Sequence, residues 1–458
     1  MTDISQYKRI HCLGIGGVGL SAIAEILADR GHIVSGTDIH PSPITEHLEE
    51  KGITIFTEHL AENVETVDAV VYSAAIPETN PEIIRAKERG IEIFSRAQVL
   101  GMLMDQYENS IAVCGTHGKT TVTSMTSLIL RNADYEPTIL VGGNVEEIKG
   151  NVEIGSDHKY FVTEACEYMD SFLSLRPSIA VLLNIDSDHL DYFKDIDHII
   201  RSFRQFVKQV RKGGIVIAYG ENPFVRDALR DIPNVITYGY TESCDFYANN
   251  IVFDTNGFPE FDVCHDGELL CHLHLAVPGE HNVLNSLAAY VTTRYLDVED
   301  EVIQKTLRSF HGTHRRFDFA GVTKAGVRIV DDYAHHPTEI KATLRAARNV
   351  KHKKLYTVFQ PHTYTRTKAL FDDFVDAFEE VDTLVITDIY AAREKDIYGV
   401  SAFRLAQTMK EKYPDRDINY IADFEDIVKF LEKHAEKDDI VITMGAGDVY
   451  KVGQMMLD

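Results

Sequence analysis

The sequence predicts an α/β protein made of three parallel-sheet segments, and three observations carry that expectation. At 458 residues the chain is too long for one hydrophobic core, and its length points to about three domains. Short apolar runs alternate with helix-like runs from end to end, the pattern of parallel strands joined by helices. Strand after strand runs out into a glycine-rich turn or a polar cluster, where open α/β sheets hold their ligands. The segments are drawn at 1–107, 108–312 and 313–458, with no low-complexity stretch or Pro/Gly-rich linker between them.

In the first segment Ile10–Leu13 reads as a strand, and a helix runs through Ala28. His32–Ser35 is a second strand, ending near Asp38, and Val67–Tyr72 a third, entering Ser73. Pro81–Arg89 and Arg96–Met104 read as helices on either side of the strand Ile91–Phe94, which makes the segment Rossmann-like. Between the first strand and its helix lies Gly14-Ile-Gly16-Gly17-Val-Gly19, a G-x-G-x-x-G turn with Asp38 downstream. Taken alone, that turn reads as an NAD site. Its physics is only a tight turn and a diphosphate docked on a helix N-terminus, so a UDP-sugar satisfies it equally. A turn made for packing is the plain alternative.

The second segment opens on Gly115-Thr116-His117-Gly118-Lys119-Thr120-Thr121, between the strand Ile111–Cys114 and a helical run from Val122 to Leu130. A glycine-rich turn there points backbone N–H groups inward around phosphate oxygens, and the helix N-terminus adds partial positive charge. Lys119 reaches the terminal phosphates and the Thr120 hydroxyl ligates Mg²⁺, so the segment is expected to bind ATP or GTP. The usual pattern has glycine five residues before Gly118, where this chain has Val113. The strand Tyr160–Thr163 ends in Glu164, placed either to ligate Mg²⁺ or to form a cap or salt bridge. Ile179–Ile185 is a further strand, ending in Asp186-Ser-Asp188-His189-Leu-Asp191. Asn282 and Asn285 open a later helix, as caps or as readers of an adenine edge.

The third segment begins with Thr313-His-Arg315-Arg316-Phe-Asp318 and carries four strands with polar ends. Val327–Val330 leads to Asp331-Asp332-Tyr333-Ala-His335-His336, and Leu355–Phe359 to Gln360-Pro-His362-Thr-Tyr364-Thr-Arg366. Leu384–Thr387 leads to Asp388-Ile-Tyr390 and Arg393, and Asp439–Thr443 to Met444-Gly445-Ala-Gly447-Asp448. This is a second Rossmann-like module, in which His336 before Pro337 is readable as a turn residue alone.

The net charge of −25 disfavours nucleic acid and anionic membrane as partners. No apolar run approaches the roughly 20 residues of a membrane span, and no signal peptide is visible. The six cysteines form no C-x-x-C pair and read as reduced, largely buried thiols of a cytoplasmic protein. A zinc site from Cys264, His265, Cys271, His272 and His274 is disfavoured. Alternation along Leu269–Ala276 puts His272 and His274 on one strand face and Cys271 on the other.

Four of these stretches together resemble the Mur ligase family of ATP-dependent amide ligases: 115–121, Asn184–Asp191, Gly279–Asn285 and His314–Asp318. Within it, Gly14–Ala22, Asp331–Glu339 and Phe359–Arg366 are similar to the members that add L-alanine to UDP-N-acetylmuramate in peptidoglycan precursor synthesis. The resemblance implies a first domain for the UDP-sugar, a P-loop ATPase-like central domain and a C-terminal amino-acid domain. It implies ATP and Mg²⁺ as cofactors, with Thr120, Glu164 and His189 associated with metal. Gly115–Thr121, Asn282, Asn285, Arg316 and Asp332 become nucleotide contacts. Gly14, Gly16, Gly17, Gly19, Asp38, Ser73, Tyr333, His335, His362 and Arg366 become substrate contacts, with Lys119, His189, His335 and Arg366 the catalytic set. Two departures stand out. Position 363 is Thr where many alanine-adding members carry Arg, and Ser202–Phe206 lacks the lysine that sister ligases modify. A nicotinamide oxidoreductase, a nucleotide switch and a sister ligase joining a preassembled peptide are the rival readings, and a homodimer is left open.

Overall fold

The computed structural model describes residues 3–190, 192–255, 257–392 and 394–458. Asp191 and Arg393, both within motifs noted above, lie outside the described residues. The chain forms two compact units: 1–183 with 201–218 and 225–236, and 184–200 with 219–224 and 237–458.

In the first unit the order is β1 (Arg9–Leu13), α1 (Val18–Asp29), β2 (Ile33–Thr37), α2 (Pro43–Glu50), β3 (Thr54–Phe56), β4 (Ala69–Tyr72), α3 (Pro81–Arg89), β5 (Glu92–Ser95) and α4 (Arg96–Met104). The five strands form a parallel sheet ordered β3-β2-β1-β4-β5. Leu13 lies opposite Tyr72, so Gly14 and Ser73 leave the same sheet edge. The strand Val67–Tyr72, expected as the third, is the fourth. Residues 54–56 form an edge strand too short to show a period, and α2 begins at a Ser42 capping box.

The unit continues with β6 (Asn109–Cys114), α5 (Lys119–Asn132), β7 (Thr138–Val145), β8 (Gly150–Glu153), β9 (Tyr160–Ala165) and β10 (Ile179–Leu182). Next along the chain come α6 (Ile196–Val207), β11 (Ile215–Tyr219), α7 (Pro223–Ala228) and β12 (Val235–Gly239). The strands of this unit run β11-β10-β6-β9-β7-β8, parallel apart from β8 on β7. The expected strand Ile179–Ile185 stops at Leu182, and Leu183 keeps a single bond to the Cys114 carbonyl before the chain leaves the ladder.

In the second unit β13 (Phe246–Phe253), β14 (Pro259–His265) and β15 (Glu268–His274) follow β12 as an antiparallel ribbon. Cys271 and Leu273 are buried while His272 is exposed, as alternation predicts. His272 and His274 pair with Asp262 and Glu260 on the neighbouring strand. Then come α8 (His281–Tyr295), α9 (Asp300–Ser309), β16 (Asp318–Val322), β17 (Arg328–Asp332), α10 (Pro337–Asn349), β18 (Leu355–Phe359), α11 (Tyr364–Ala369), α12 (Phe371–Val375), β19 (Thr383–Ile386), α13 (Ala402–Lys412), β20 (Asp417–Tyr420), α14 (Phe424–His434), β21 (Ile440–Met444) and α15 (Tyr450–Leu457). The last sheet runs β16-β17-β21-β18-β19-β20, with only β16 antiparallel. Successive residues split between its two cores, Val330, Phe359 and Ile442 on one face and Ile329, Val358 and Val441 on the other. Asp332, Phe359 and Met444 are level in the ladder, so Tyr333, Gln360 and Gly445 leave one edge. Among the described residues no helix is long and apolar enough to cross a membrane. All six cysteines are free, five of them buried.

Candidate active site

The turn after β6 passes through Gly118 at φ +85°, and α5 begins at Lys119. Glycine accepts that left-handed conformation without a Cβ penalty, which leaves the first amides of α5 facing out of the turn. The Lys119 ammonium donates to the carbonyls of Gly115 and Thr116 and to both oxygens of Glu167, at 3.0 and 2.9 Å. Burial opposes its charge, but Glu167 outweighs that and holds the ammonium above the usual lysine range.

Glu164, opposite Val113 on the neighbouring strand, accepts from the Gly142 amide at 2.7 Å. A Cβ on Gly142 would stand 2.8 Å from Glu164 Oε1, and one on Gly143 would stand 3.2 Å from Thr120 Cγ2. Thr120 and Glu164 therefore flank the same Gly142–Gly143 backbone. A hydroxyl and a carboxylate beside a helix N-terminus that attracts phosphate are the oxygen donors Mg²⁺ takes, so these residues fit that ion. His189, the third residue expected at metal, belongs to the second unit. It has φ +53°, and its amide donates to Asp188 at 2.7 Å.

At the first sheet, Gly14 adopts φ +74°, which lets its amide and that of Ile15 fold back on the Thr37 carbonyl. Asp38 accepts from the Gly16 amide at 2.9 Å and from the His40 amide at 3.1 Å, so it braces the loop. Ser73 faces Gly14, its hydroxyl 2.9 Å from where a Cβ would be. Arg96 was not anticipated. Its guanidinium stands 2.9 Å from the absent Cβ of Gly19, against the first turn of α1. A cation beside the positive end of a helix is unfavourable unless an anion joins them. The available signal was an arginine opening a helix, where acids are usual.

Below this loop lies a buried carboxylate. Glu82 accepts from His11 at 3.2 Å, Thr37 at 2.6 Å, Asn63 at 2.8 Å and His59 at 2.5 Å. Burial alone would raise its pKa, yet these four hydrogen bonds bring it down to about 2.

In the second unit Arg366 donates through Nε and Nη2 to Asp188, each at 3.1 Å, and through Nη1 to His362 Nδ1 at 3.2 Å. Asp188 is buried, which opposes its charge, but Arg366 holds it well below the usual carboxylate range. His362 stacks on Tyr390 with ring centres 5.7 Å apart and stands edge-on to His335 at 5.8 Å. His335 Nδ1 donates to the Tyr333 carbonyl at 2.8 Å, which leaves Nε2 as the acceptor nitrogen. Burial and Arg366 lower both histidines to about 4, so both are neutral at pH 7. Thr363, one of the two departures from the family pattern, has φ +65° and caps α11.

Tyr333 lies under two guanidiniums, Arg315 at 5.1 Å and Arg316 at 5.3 Å. Glu339 accepts from the His335 amide at 3.2 Å and approaches Arg316 at 3.9 Å. Asp332 accepts from the amides of Phe317 and Ala334, both at 2.7 Å, and burial raises its pKa to about 6. Asn282 and Asn285 are buried in α8, joined at 3.0 Å, and neither is the N-cap, which is Glu280. His336 does cap α10, its Nδ1 accepting from the Thr338 amide, but it is more than a turn residue: its buried ring also donates through Nε2 to the Ser187 carbonyl at 3.0 Å.

The first unit thus gathers Lys119, Thr120 and Glu164, and the second gathers Asp188, Tyr333, His335, His362 and Arg366. Sequence reasoning missed Glu167, Arg96 and Glu339 and gave Asp188 no role, because each matters through a partner distant in the chain or on another element.

Three family models match the chain: a Mur ligase family catalytic domain at 9–108, a Mur ligase middle domain at 113–293 and a Mur ligase glutamate ligase domain at 315–447. A UDP-N-acetylmuramate–L-alanine ligase of Caldanaerobacter subterraneus is 48% identical over 457 residues, covering 100% of this chain and 98% of that one. The crystal structure of a UDP-N-acetylmuramate–alanine ligase from Thermotoga maritima superposes with a TM-score of 0.81 at 26% identity, covering 98% of both chains. A murein peptide ligase from Psychrobacter arcticus superposes with a TM-score of 0.71, also at 26% identity and 98% coverage of both.

Proposed function

The chain belongs to the Mur ligase family, and from that premise we propose that it joins L-alanine to the carboxylate of UDP-N-acetylmuramate. ATP is the driving cosubstrate, the carboxylate is activated as an acyl phosphate, and ADP and phosphate are released. The observation that carries the choice of alanine is the end-to-end likeness at 48% identity to an alanine-adding relative.

The division of labour follows the sheet edges. Residues 1–107 take the UDP-sugar, with its diphosphate over Gly14–Gly19 and Arg96. Residues 108–312 take ATP, with its phosphates on the amides of α5 and on Lys119. Residues 313–458 take the amino acid, near Arg366, His362 and His335. Mg²⁺ held by Thr120 and Glu164 would neutralise charge on the phosphates, and a second Mg²⁺ near His189 would ease the approach of carboxylate and γ-phosphate. Arg316 and Asp332 hold the nucleotide's phosphate and ribose, and Asn282 with Asn285 reads its base. His335 is the candidate proton acceptor for the alanine amine: its Nδ1 proton is tied to a carbonyl and its Nε2 carries none, while burial, which lowers its pKa to about 4, makes it a weak base. A cytoplasmic enzyme fits substrates made of ATP and a UDP-sugar, and a homodimer is the assembly to test by sedimentation.

The test is phosphate release from Mg-ATP and UDP-N-acetylmuramate across a panel of amino acids and short peptides. Alanine is expected to lead, with glycine and serine behind. Release with a peptide alone would move the chain to the peptide-joining ligases, and release with nothing would end the proposal. Lys119→Ala should lower turnover at least about a hundredfold in a protein that still folds, with a lower melting temperature because the buried Glu167 loses its counter-charge.

A further inference from the structure

Lys119 does not wait with an open hand. An ammonium has three N–H donors, and those of Lys119 meet the Gly115 and Thr116 carbonyls and both oxygens of Glu167. The two carbonyls belong to the phosphate loop itself, so the side chain is folded back over its own turn. Glu167 is 2% exposed and the Lys119 side chain 15%, so the pair is largely shielded from water.

The carboxylate is firmly mounted. Glu167 follows β9 and opens a turn in which Met169 and Asp170 both hold left-handed φ, 53° and 54°. The Asp170 amide donates to the Glu167 carbonyl at 2.9 Å, and the Phe172 amide and Ser171 hydroxyl both donate to the Cys166 carbonyl at 2.9 Å. Phe172 anchors the turn, its buried ring stacked on Phe206 at 4.7 Å. Two non-glycine residues in the left-handed region persist only where surrounding packing imposes them. The lysine, on a flexible four-carbon stem, is the partner that can move.

We propose that Glu167 is a positioning residue that stands in for phosphate: it holds the Lys119 ammonium at the loop while no nucleotide is bound, and it competes for that ammonium once nucleotide arrives. This rests on the nucleotide reading of residues 115–121. When the ammonium turns to phosphate, Glu167 loses that counter-charge just as the phosphate brings further negative charge close. It therefore weakens nucleotide binding and speeds the departure of ADP. A carboxylate serving the fold alone would have no such effect on release.

Glu167→Gln keeps the shape and removes the charge. Calorimetry with ADP in EDTA should show binding tighter by about tenfold, the ordinary size of coupling between sites that share a group. Steady-state kinetics should show kcat and the KM for ATP falling together, as expected when product release slows. Glu167→Asp, which restores the charge, should return both toward the parent values. ADP binding that is weaker or unchanged in a Glu167→Gln protein of normal melting temperature overturns the proposal. Should that variant fail to fold, a crystal structure of the parent enzyme with ADP decides: the ammonium on phosphate and off Glu167 supports the proposal, and the ammonium still held by both Glu167 oxygens overturns it. Parent enzyme that binds no ADP would instead sink the nucleotide reading itself.

Discussion

Arg366 commits two of its nitrogens to Asp188 and the third to His362, so any carboxylate it meets shares a charge already partly neutralised. One charge-assisted contact of this kind is worth about 1.5–3 kcal/mol, roughly ten- to a hundredfold in affinity. Arg366→Ala should therefore raise the KM for alanine by about that factor while the KM for ATP moves less than about threefold. Steady-state titration of each substrate checks this, and the reverse pattern would assign Arg366 to the nucleotide. The side chain itself was legible, standing in a polar run that follows a strand. Its partner was not, because Asp188 lies 178 residues earlier and no local pattern links the two.

At the scale of elements, α4 and the turn carrying Glu167 approach most closely at Gly101. A Cβ on Gly101 would fall 2.2 Å from the Ser174 carbonyl oxygen, and backbone on both sides leaves little room to yield. Gly101→Ala should cost about 1–3 kcal/mol, seen as a lower melting temperature, and should disturb ADP affinity through Glu167. A variant with parent stability would mean the turn yields freely. The carboxylate under the first sheet gives a pH test. Glu82 has a folded pKa of about 2, below its ordinary 4.5, so the unfolded chain binds the proton first on acidification. Its contribution, on the order of 2–3 kcal/mol, is present above pH 4.5 and lost as pH falls toward 2. Denaturant midpoints across that range should show the loss in the parent and a flatter slope in Glu82→Gln. Elements with local signals were readable. Helix α3 has Asn80 as cap, a proline at its start and left-handed Gly90 at its end, and its span was read as it is found. Strands β3, β16 and β20 were missed because three to five residues at a sheet edge show no period, and pairing rather than local preference makes them strands.

For the whole molecule, composition makes a claim no single residue makes. With 46 basic and 71 acidic side chains the net charge is −25, yet two of the three proposed substrates are anions. The distant field therefore opposes their approach, while Lys119, Arg96, Arg316 and the helix N-termini attract only at short range. Salt separates the two contributions. The screening length falls from about 30 Å at 0.01 M to about 8 Å at 0.15 M, which silences distant acids before it touches groups in contact. Over that range kcat/KM for ATP and for the UDP-sugar should rise about two- to tenfold at fixed free Mg²⁺. Alanine is a zwitterion without net charge, so its kcat/KM should stay flat and serves as the internal control. A fall for both anions would mean that cations at the sheet edges govern the approach from afar, and that the acidic surface is turned away from the path the substrates take.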